Sequence, residues 1–381
     1  MSVRLPFTNL TPSPSKPELV LSNGTEFLVL NTSTGEIVRS YPKEADRNQK
    51  YADLHRSAAY SKDGSQLATT GDDKQIRVYD TNTWELKYTR PTAKRVNALQ
   101  FTKDLSKIIV ADKFGDVYAH PAEAAASAED KLAPIAGHVS MVTDMLLTPD
   151  EKYVITGDRD EHIRVSRFPN GYNIESFCLG HTDVVTSLKL IPNTHFLLSA
   201  GGDNTVRVWD FVKGIEAQCL DIKDYIQKYI PEATDANSAD AIVRRVTLDP
   251  TSNMIALAFA KTPAVVLLAW EQDQLVYKDT LETKQIVLDA AFDTEGRLWL
   301  THPDEPLVSV FTKQGDAYSR VAEDDTLVKS INSVEAGLAE KLPDLYTIFG
   351  LRKLLDLPEH VQNGPQTKSQ KKRKLENKTE E

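Results

Sequence analysis

The residues best spaced for chemistry in this sequence are a histidine, a hydroxyl, a carboxylate and an indole within one stretch, 180–210. They are His181, Ser199, Asp203 and Trp209. A buried imidazole can bridge a turn carboxylate to a hydroxyl, and that hydroxyl can accept from an indole N–H, so the four polar groups satisfy one another. We therefore predict a structural tetrad here, and not a site that transfers protons.

Two further units keep part of this set: His138, Thr156 and Asp160 in one, and Thr69, Asp73 and Tyr79 in the other. The first has Ser166 at the tryptophan position, and the second lacks the Gly-His pair. Turn carboxylates cap turns more often than they move protons. The sequence also has no phosphate-binding glycine loop, no G-x-G-x-x-G, no H-E-x-x-H and no C-x-x-C. These observations predict a protein that is not an enzyme and has no metal or cofactor of its own.

The elements that carry these residues repeat along the chain. GDDKQIRVYD (71–80), GDRDEHIRVS (157–166) and GGDNTVRVWD (201–210) each read as a Gly/Asp turn followed by an apolar-x-apolar strand. The first apolar residues of such strands are Phe27, Ile76, Val117, Ile163, Val206, Val266 and Val308. Most of their separations match the roughly 40–45-residue unit of a propeller blade. Residues 1–322 are therefore predicted to form an all-β, seven-bladed β-propeller of the WD-repeat type.

The remainder of the chain reads differently. Residues 323–363 are predicted to be a partly helical extension, and residues 364–381 a disordered basic tail. The cluster Lys371, Lys372, Arg373 and Lys374 reads either as a nuclear import signal or as an RNA contact. The ring could close by pairing residues 2–8 or 16–21 with the last blade, and the sequence does not choose between them.

Composition limits the function classes. A formal net charge of −10 over 381 residues argues against broad, unaided binding to nucleic acid. Two cysteines imply no disulfide framework, which favours a reducing compartment. The longest apolar run, 264–270, is too short to span a bilayer, and no signal peptide is recognisable. We expect an intracellular, soluble protein with no membrane partner.

The turn within GDRDEHIRVS holds more charge than its sister turns. Three of its residues match other blades and are assigned to the fold: Asp160, Ile163 and Val165. Asp158, Arg159 and Glu161 exceed what the fold needs, and Arg164 points to the opposite strand face from its apolar neighbours. Such a mixed cluster can orient a partner that carries complementary charge. A solvated turn is the alternative interpretation.

Three stretches resemble a known family more closely than a generic WD repeat does. They are VADKFGDVYAHP (110–121), GHVSMVTDMLLTPDEKYVITGDRDEHIRVS (137–166) and IESFCLGHTDVV (174–185). They look like the WD-repeat, non-catalytic subunit of the eukaryotic tRNA (guanine-N7) methyltransferase. The resemblance implies a heterodimer with a catalytic subunit that uses S-adenosylmethionine and methylates tRNA. With the basic cluster at 371–374, we expect the protein in the nucleus.

The same resemblance implies which residues meet the catalytic subunit: Asp158, Arg159, Glu161 and Arg164. His162 falls at the variable position of the motif. Lys113 and Asp116 match the ADKxGDVY motif, either as partner contacts or as residues that shape the blade. The family's C-terminal region lies near the RNA, which would suit Lys371 to Lys374. A competing hypothesis of another class is a nuclear scaffold that reads a peptide or histone tail in its central channel.

Overall fold

Short runs of alternating apolar residues, each ended by a Gly, Asp or Pro turn, form seven four-stranded antiparallel sheets. The computed structural model describes residues 3–41, 53–122, 132–230, 241–315, 317–334 and 337–352. Within each sheet the strands follow in chain order, from the innermost to the outermost. The sheets are the blades of a seven-bladed propeller, which confirms the predicted fold. All seven marker residues lie in the third strand of their blade.

The strands of the first four blades have the following bounds. Blade 1 is β2 (Asn9–Pro12), β3 (Glu18–Ser22), β4 (Phe27–Asn31) and β5 (Ile37–Tyr41); blade 2 is β6 (Ser57–Tyr60), β7 (Gln66–Thr70), β8 (Gln75–Asp80) and β9 (Leu86–Pro91). Blade 3 is β10 (Val96–Phe101), β11 (Lys107–Asp112), β12 (Asp116–Pro121) and β13 (Ala136–Gly137); blade 4 is β14 (Val142–Leu147), β15 (Tyr153–Asp158), β16 (Ile163–Arg167) and β17 (Ile174–Cys178).

The remaining blades and the flanking elements complete the ring. Blade 5 is β18 (Val185–Leu190), β19 (Phe196–Gly201), β20 (Thr205–Asp210) and β21 (Ile215–Asp221); blade 6 is β22 (Val243–Leu248), β23 (Met254–Phe259), β24 (Ala264–Glu271) and β25 (Gln274–Glu282); blade 7 is β26 (Asp289–Phe292), β27 (Leu298–Thr301), β28 (Val308–Gln314) and β29 (Ala317–Arg320). Outside the blades lie β1 (Val3–Arg4), α1 (Lys223–Ile226), α2 (Thr326–Ser333), β30 (Leu338–Ala339) and the 3₁₀ turns Gln227–Tyr229 and Thr347–Leu351. Among the described residues, none of the helices has the length and apolar character needed to cross a membrane.

The core is divided into layers between neighbouring blades. Seven clusters of buried apolar side chains occur among the described residues, and each joins two adjacent blades. For example, Ile155 and Ile163 of blade 4 pack with Leu188 and Trp209 of blade 5. A single blade cannot bury either of its faces, so its stability depends on both neighbours.

The innermost strands are joined by side chains, because each has one edge with no strand beside it. Asn97 of β10 donates to the carbonyl of Val142 at the start of β14. Thr143 in β14 then donates to Val185 O, which begins the inner strand of blade 5. Buried backbone polar groups must find partners, and the same device recurs from blade 1 to blade 2 and from blade 5 to blade 6. Consecutive blades are therefore held in a fixed register around the channel.

The ring closes without exchanging a strand, so neither closure considered from the sequence is correct. Blade 7 contains only strands from 289–320, and residues 18–22 form the second strand of blade 1. Asp289 in blade 7 accepts from the N–H of Leu10 in blade 1 at 2.7 Å and pairs with Arg245 of blade 6 at 2.6 Å. One carboxylate thus bridges three blades across the seam.

The C-terminal extension seals the outside of this seam. Helix α2 packs Val328 and Ile331 into the cluster between blades 7 and 1. Its last carbonyls accept from the guanidinium of Arg4, whose strand β1 pairs with β30. The described segments 3–4, 326–333 and 338–339 therefore support closure by lying against the ring and not by entering a blade.

The tetrad of blade 5 has continuous hydrogen bonding. Trp209 Nε1 donates to Ser199 Oγ at 2.8 Å, and Ser199 Oγ lies 2.7 Å from His181 Nε2. His181 Nδ1 lies 2.8 Å from a carboxylate oxygen of Asp203. Burial alone would raise the pKa of Asp203, but the hydrogen bond and charge attraction of His181 outweigh it and lower the pKa to about 2. The network is a structural link between the outer loop and the middle strands.

Blade 2 has a histidine at the same place, although its sequence lacks the Gly-His pair. His55 Nδ1 lies 2.9 Å from Thr69 Oγ1, and burial lowers the pKa of His55 to about 3. The unit lacks the Gly-His pair, as the sequence indicated, but His55 after Leu54 takes the place of the histidine. The two residues are 14 positions apart, whereas the pairs in blades 4 and 5 are 18 apart. The shorter spacing conceals the match in the sequence.

The substitution Asp203→Asn tests the energetic role of the tetrad. Because the folded pKa of Asp203 is depressed from 3.8 to about 2, its carboxylate stabilises the fold above pH 3.8 and loses that effect as the pH falls toward 2. We expect the variant to lose about 2 kcal/mol of unfolding free energy at pH 7, and the difference from the parent protein to shrink below pH 4 (~1.4 kcal/mol per pKa unit). Urea unfolding of both proteins across this pH range measures it, and a pH-independent difference would contradict the assignment.

Candidate partner-binding edge

The charged turn of blade 4 is organised from within by Asp158. One carboxylate oxygen accepts from the N–H groups of Asp160 and His162 at 2.8 and 2.9 Å. The other lies 2.9 Å from His138 Nδ1. Asp158 is 3% exposed, and these hydrogen bonds lower its pKa against the opposing effect of burial. Asp158 therefore belongs to the fold and cannot present its carboxylate to a partner.

This finding bears on two sequence interpretations, of which the position assigned to Asp160 holds and its bond to the histidine does not. Asp158 was predicted to meet the partner, and Asp160 was assigned to the position of Asp203 in the tetrad. By register Asp160 does match Asp203, since Gly157 pairs with Ile163 as Ala200 pairs with Val206. The histidine of blade 4 nevertheless bonds to Asp158, whose equivalent in blade 5 is Gly201.

Blade 3 uses the same device as blade 4. Asp112 begins the turn between β11 and β12, and its carboxylate accepts from the N–H groups of Phe114 and Asp116. In blade 5 the first turn residue is glycine, because a Cβ at Gly201 would lie 1.9 Å from Val184 O. In both blades the first residue of the turn is an aspartate and the second is a cation. The cation is Lys113 in blade 3 and Arg159 in blade 4.

Arg164 is half-buried and held by neutral acceptors. Its guanidinium donates to Ser166 Oγ at 2.8 Å, Gly137 O at 2.6 Å and Gly171 O at 2.7 Å. In the part of the chain that the structure describes, it has no carboxylate within ion-pair distance, and partial burial lowers the pKa of its guanidinium. Its charge is positioned but not neutralised.

The sister arginines differ in this respect. Arg77 in blade 2 pairs with Asp73. Arg207 in blade 5 pairs with Glu216 at 2.5 Å. Their charges are therefore balanced within their own blades, whereas that of Arg164 is available to an acidic group from outside.

The other charged residues lie on the surface of the turn. Arg159 is partly exposed, and its Nε donates to Leu351 O at 2.8 Å. Glu161 is partly exposed with a left-handed φ of 77°, and His162 is exposed. We call Arg159, Glu161, His162 and Arg164 together the docking edge.

Exposed apolar side chains flank the docking edge, and sequence reasoning did not identify them as functional. Phe177 stands opposite Arg164 in the pairing of β16 with β17. Leu179 follows that strand and is 60% exposed, and Val139, in the loop after His138, is fully exposed. The sequence IESFCLGH could have identified them. Its apolar residues lie in an outermost strand and in the loop after it, where no further strand covers them.

Two residues of the ADKxGDVY motif have separable roles. Asp116 donates its N–H to Asp112 and accepts from the Tyr118 hydroxyl at 3.3 Å, so it shapes the blade. Lys113 is exposed. The sequence had left partner contact and blade shaping open for both.

The C-terminal segment 337–352 lies across the same face of the ring and ends at the docking edge. Leu345 O accepts from Arg244 on the inner strand of blade 6. Arg352 pairs with Asp183 at 2.7 Å, next to the contact of Arg159 with Leu351. Lys371, Lys372, Arg373 and Lys374, and the predicted disordered tail, lie outside the described residues.

The fold and its His–hydroxyl–Asp networks define a WD-repeat β-propeller. Solved structures agree: a chain of "Crystal Structure of Mitotic Checkpoint Complex" aligns with a TM-score of 0.62 at 16% identity, over 80% of this chain and 89% of that chain. "Structure of U3-55K" aligns with a TM-score of 0.64 at 16% identity, over 80% and 91%. At this identity the likeness establishes the fold alone.

Sequence comparison identifies the family. The model of the tRNA methyltransferase TRM82 WD40 domain matches residues 30–132 and 120–314, and the chain belongs to this family. A Homo sapiens relative named tRNA (guanine-N(7)-)-methyltransferase non-catalytic subunit WDR4 is 33% identical over 287 residues, or 74% of this chain and 67% of that protein. The Danio rerio protein of that name is 33% identical over 81% of this chain and 78% of its own length. A Meyerozyma guilliermondii relative, the non-catalytic subunit TRM82, is 41% identical over 32% and 31%.

Two matched substitutions test the reassignment within the turn. Asp158→Asn removes a buried charge that holds His138 and two backbone N–H groups, so we expect a loss of about 1–3 kcal/mol of unfolding free energy. Asp160→Asn changes a partly exposed side chain, so we expect about 0.5 kcal/mol or less. Urea unfolding of both variants checks this, and an equal or larger loss for Asp160→Asn would restore the original assignment.

Proposed function

We propose that this chain is the non-catalytic subunit of a tRNA (guanine-N7) methyltransferase, with no cofactor of its own. Its membership of the TRM82 family, with relatives named as that subunit, carries the proposal. A catalytic subunit that uses S-adenosylmethionine would perform the methyl transfer. The propeller would bind and stabilise that subunit, and tRNA would be bound through the complex.

The docking edge is the proposed contact with the catalytic subunit. Arg164 supports this assignment, because its charge lacks a carboxylate partner among the described residues while the corresponding arginines of blades 2 and 5 are paired. An acidic side chain of the partner would complete the pair. Since three hydrogen bonds already fix the guanidinium, little side-chain freedom would be lost on binding.

The apolar side chains beside the docking edge would supply affinity that charge pairing alone does not. Interfaces commonly combine an apolar centre with charged groups that set orientation. Phe177 lies opposite Arg164 across the pairing of β16 with β17, and Leu179 and Val139 add exposed apolar surface from the loops after β17 and after His138. A partner that covers them would also desolvate Arg164 and strengthen its ion pair.

The propeller would act as a rigid clamp. Its blades are fixed by the inner-strand hydrogen bonds, so the docking edge offers one geometry to the partner. Binding would favour the RNA-competent arrangement of the catalytic subunit, which is a population shift and not a chemical step. The proposed location is the nucleus, with Lys371 to Lys374 as an import signal or an RNA contact.

A channel that reads a peptide or histone tail is the second candidate, and no observation favours it. On the face of the docking edge, Arg244 of an inner strand holds Leu345 O and also reaches Thr8 O. The chain's own C-terminal segment therefore lies at that mouth of the channel. A peptide would have to displace it or enter from the other face.

Arg164→Gln tests the docking edge by removing the charge while keeping a neutral, polar, unbranched side chain. We expect co-purification of the catalytic subunit and N7-methylation of tRNA to fall by roughly tenfold or more, because the partner's acidic group would lose its counter-charge. Affinity capture from the native host cells and methylation assays measure the two effects. Arg164→Glu is a poorer test, because a carboxylate there would face the carbonyls of Gly137 and Gly171.

Arg207→Gln in blade 5 is the matched control, since it removes the equivalent arginine from a blade that balances its own charge. It should lower the melting temperature by a similar amount and leave the complex intact. If Arg164→Gln retains full co-purification and methylation, the docking edge is misassigned. If both variants lose the partner equally, the effect comes from the fold.

A further inference from the structure

We propose that Ser166 and Ile174 are positioning residues for the docking edge, because together they keep the charge of Arg164 available to the catalytic subunit. The inference rests on the proposed function, since it concerns the contact of Arg164 with that subunit. Ser166 holds the guanidinium in place, and Ile174 leaves it without a carboxylate from its own blade. Both residues act on the partner through Arg164.

Blades 4 and 5 share one strand pattern, and blade 4 changes it at two positions. Ser166 in β16 stands opposite Ile174 in β17. The corresponding pair in blade 5 is Trp209 in β20 and Glu216 in β21, and both pairs follow a register shift at the same place in the blade. Serine therefore replaces the tryptophan and isoleucine replaces the glutamate, while the arginine two residues before is kept.

The change from tryptophan to serine goes with a change in the direction of the arginine side chain. In blade 5, where Trp209 is buried, Arg207 turns toward the start of its strand, and its Nε donates to Thr205 Oγ1 at 3.1 Å. In blade 4 the arginine turns toward the end of its strand. Arg164 Nε donates to the Oγ of Ser166, which is also buried, at 2.8 Å. A serine leaves room for this turn and supplies the acceptor.

The change from glutamate to isoleucine removes the internal counter-charge. Glu216 Oε2 pairs with Arg207 Nη1 at 2.5 Å in blade 5. Ile174 is apolar and 46% exposed at the same position. The two terminal nitrogens of the Arg164 guanidinium donate instead to backbone carbonyls, at 2.6 and 2.7 Å. A carbonyl oxygen accepts a hydrogen bond but carries no net charge, so the cation is oriented and not neutralised.

Blade 4 gives up part of its structural network in this exchange. His138 Nε2 lies 2.5 Å from Thr156 Oγ1, as in the tetrad of blade 5. The tetrad is completed by the Trp209 indole, which donates to Ser199 Oγ. In the part of the chain that the structure describes, no indole donates to Thr156. A position that loses a buried hydrogen bond and gains an oriented charge is typical of a functional site.

Ser166→Ala tests the positioning role in the full chain, reconstituted with the catalytic subunit from the same host. Isothermal titration calorimetry measures the dissociation constant of the pair. Because the guanidinium loses the acceptor that fixes Nε, we expect the affinity to fall roughly five- to tenfold, and Ser166→Thr, which keeps a hydroxyl, to restore most of it. In a chain that already carries Arg164→Gln, Ser166→Ala should change the affinity by less than about twofold.

Ile174→Glu tests the second residue by giving Arg164 the internal carboxylate that Arg207 has in Glu216. Since the position is 46% exposed, a glutamate can stay hydrated there and the chain should fold. We expect the affinity for the catalytic subunit to fall roughly tenfold, and clearly more than with Ile174→Gln, which alters the side chain without adding charge. The difference between the two variants should shrink as the salt concentration rises, because it is electrostatic.

Thr205→Ala is the matched control, because it removes the hydroxyl that holds the equivalent arginine in blade 5. It should leave the affinity unchanged, and an equal loss would mean that strand hydroxyls act through the fold. The proposal also fails if Ser166→Ala lowers the affinity equally with and without Arg164. If Arg164→Gln weakens the pair but neither Ser166→Ala nor Ile174→Glu does, the positioning role is wrong and the docking edge stands. If Arg164→Gln has no effect, both are wrong.

Discussion

Each blade of this propeller has an innermost strand with one unpaired edge, and the satisfaction of that edge governs the rest of the structure. Side chains such as Asn97 and Thr143 donate to the first carbonyl of the next inner strand. Across the closing seam the carboxylate of Asp289 instead accepts from the N–H of Leu10. Because these contacts fix each blade relative to the next, the turns on one face keep constant positions. The docking edge depends on that regularity.

Within this constant frame, the blades differ by small changes in one turn. The first turn position holds glycine in blades 2 and 5 and aspartate in blades 3 and 4. Asp112 and Asp158 cap the turn from inside, which frees the following positions for other side chains. Lys113 and Arg159 occupy the second position of adjacent blades. Neighbouring turns therefore present cations on one face without any change in the strands beneath.

The strand arginines show how the same residue serves two purposes. Arg77 and Arg207 are balanced by carboxylates of their own chain. Arg164 is held by a hydroxyl and two carbonyls, which orient a cation without cancelling its charge. Sequence position alone makes the three equivalent. Only the surrounding acceptors distinguish an arginine that stabilises its blade from one that can pair with a partner.

The sequence alone determined the fold class and the number of blades, because alternating strands and turns report local geometry. The markers from Phe27 to Val308 each lie in a third strand, and the tetrad of His181 follows its spacing. Tertiary structure decided which aspartate meets His138, that His55 replaces a Gly-His pair, and how α2 closes the ring. Those outcomes depend on side chains brought together from distant positions. Spacing along a chain does not encode such distances, whereas strand periodicity is local and can be read directly.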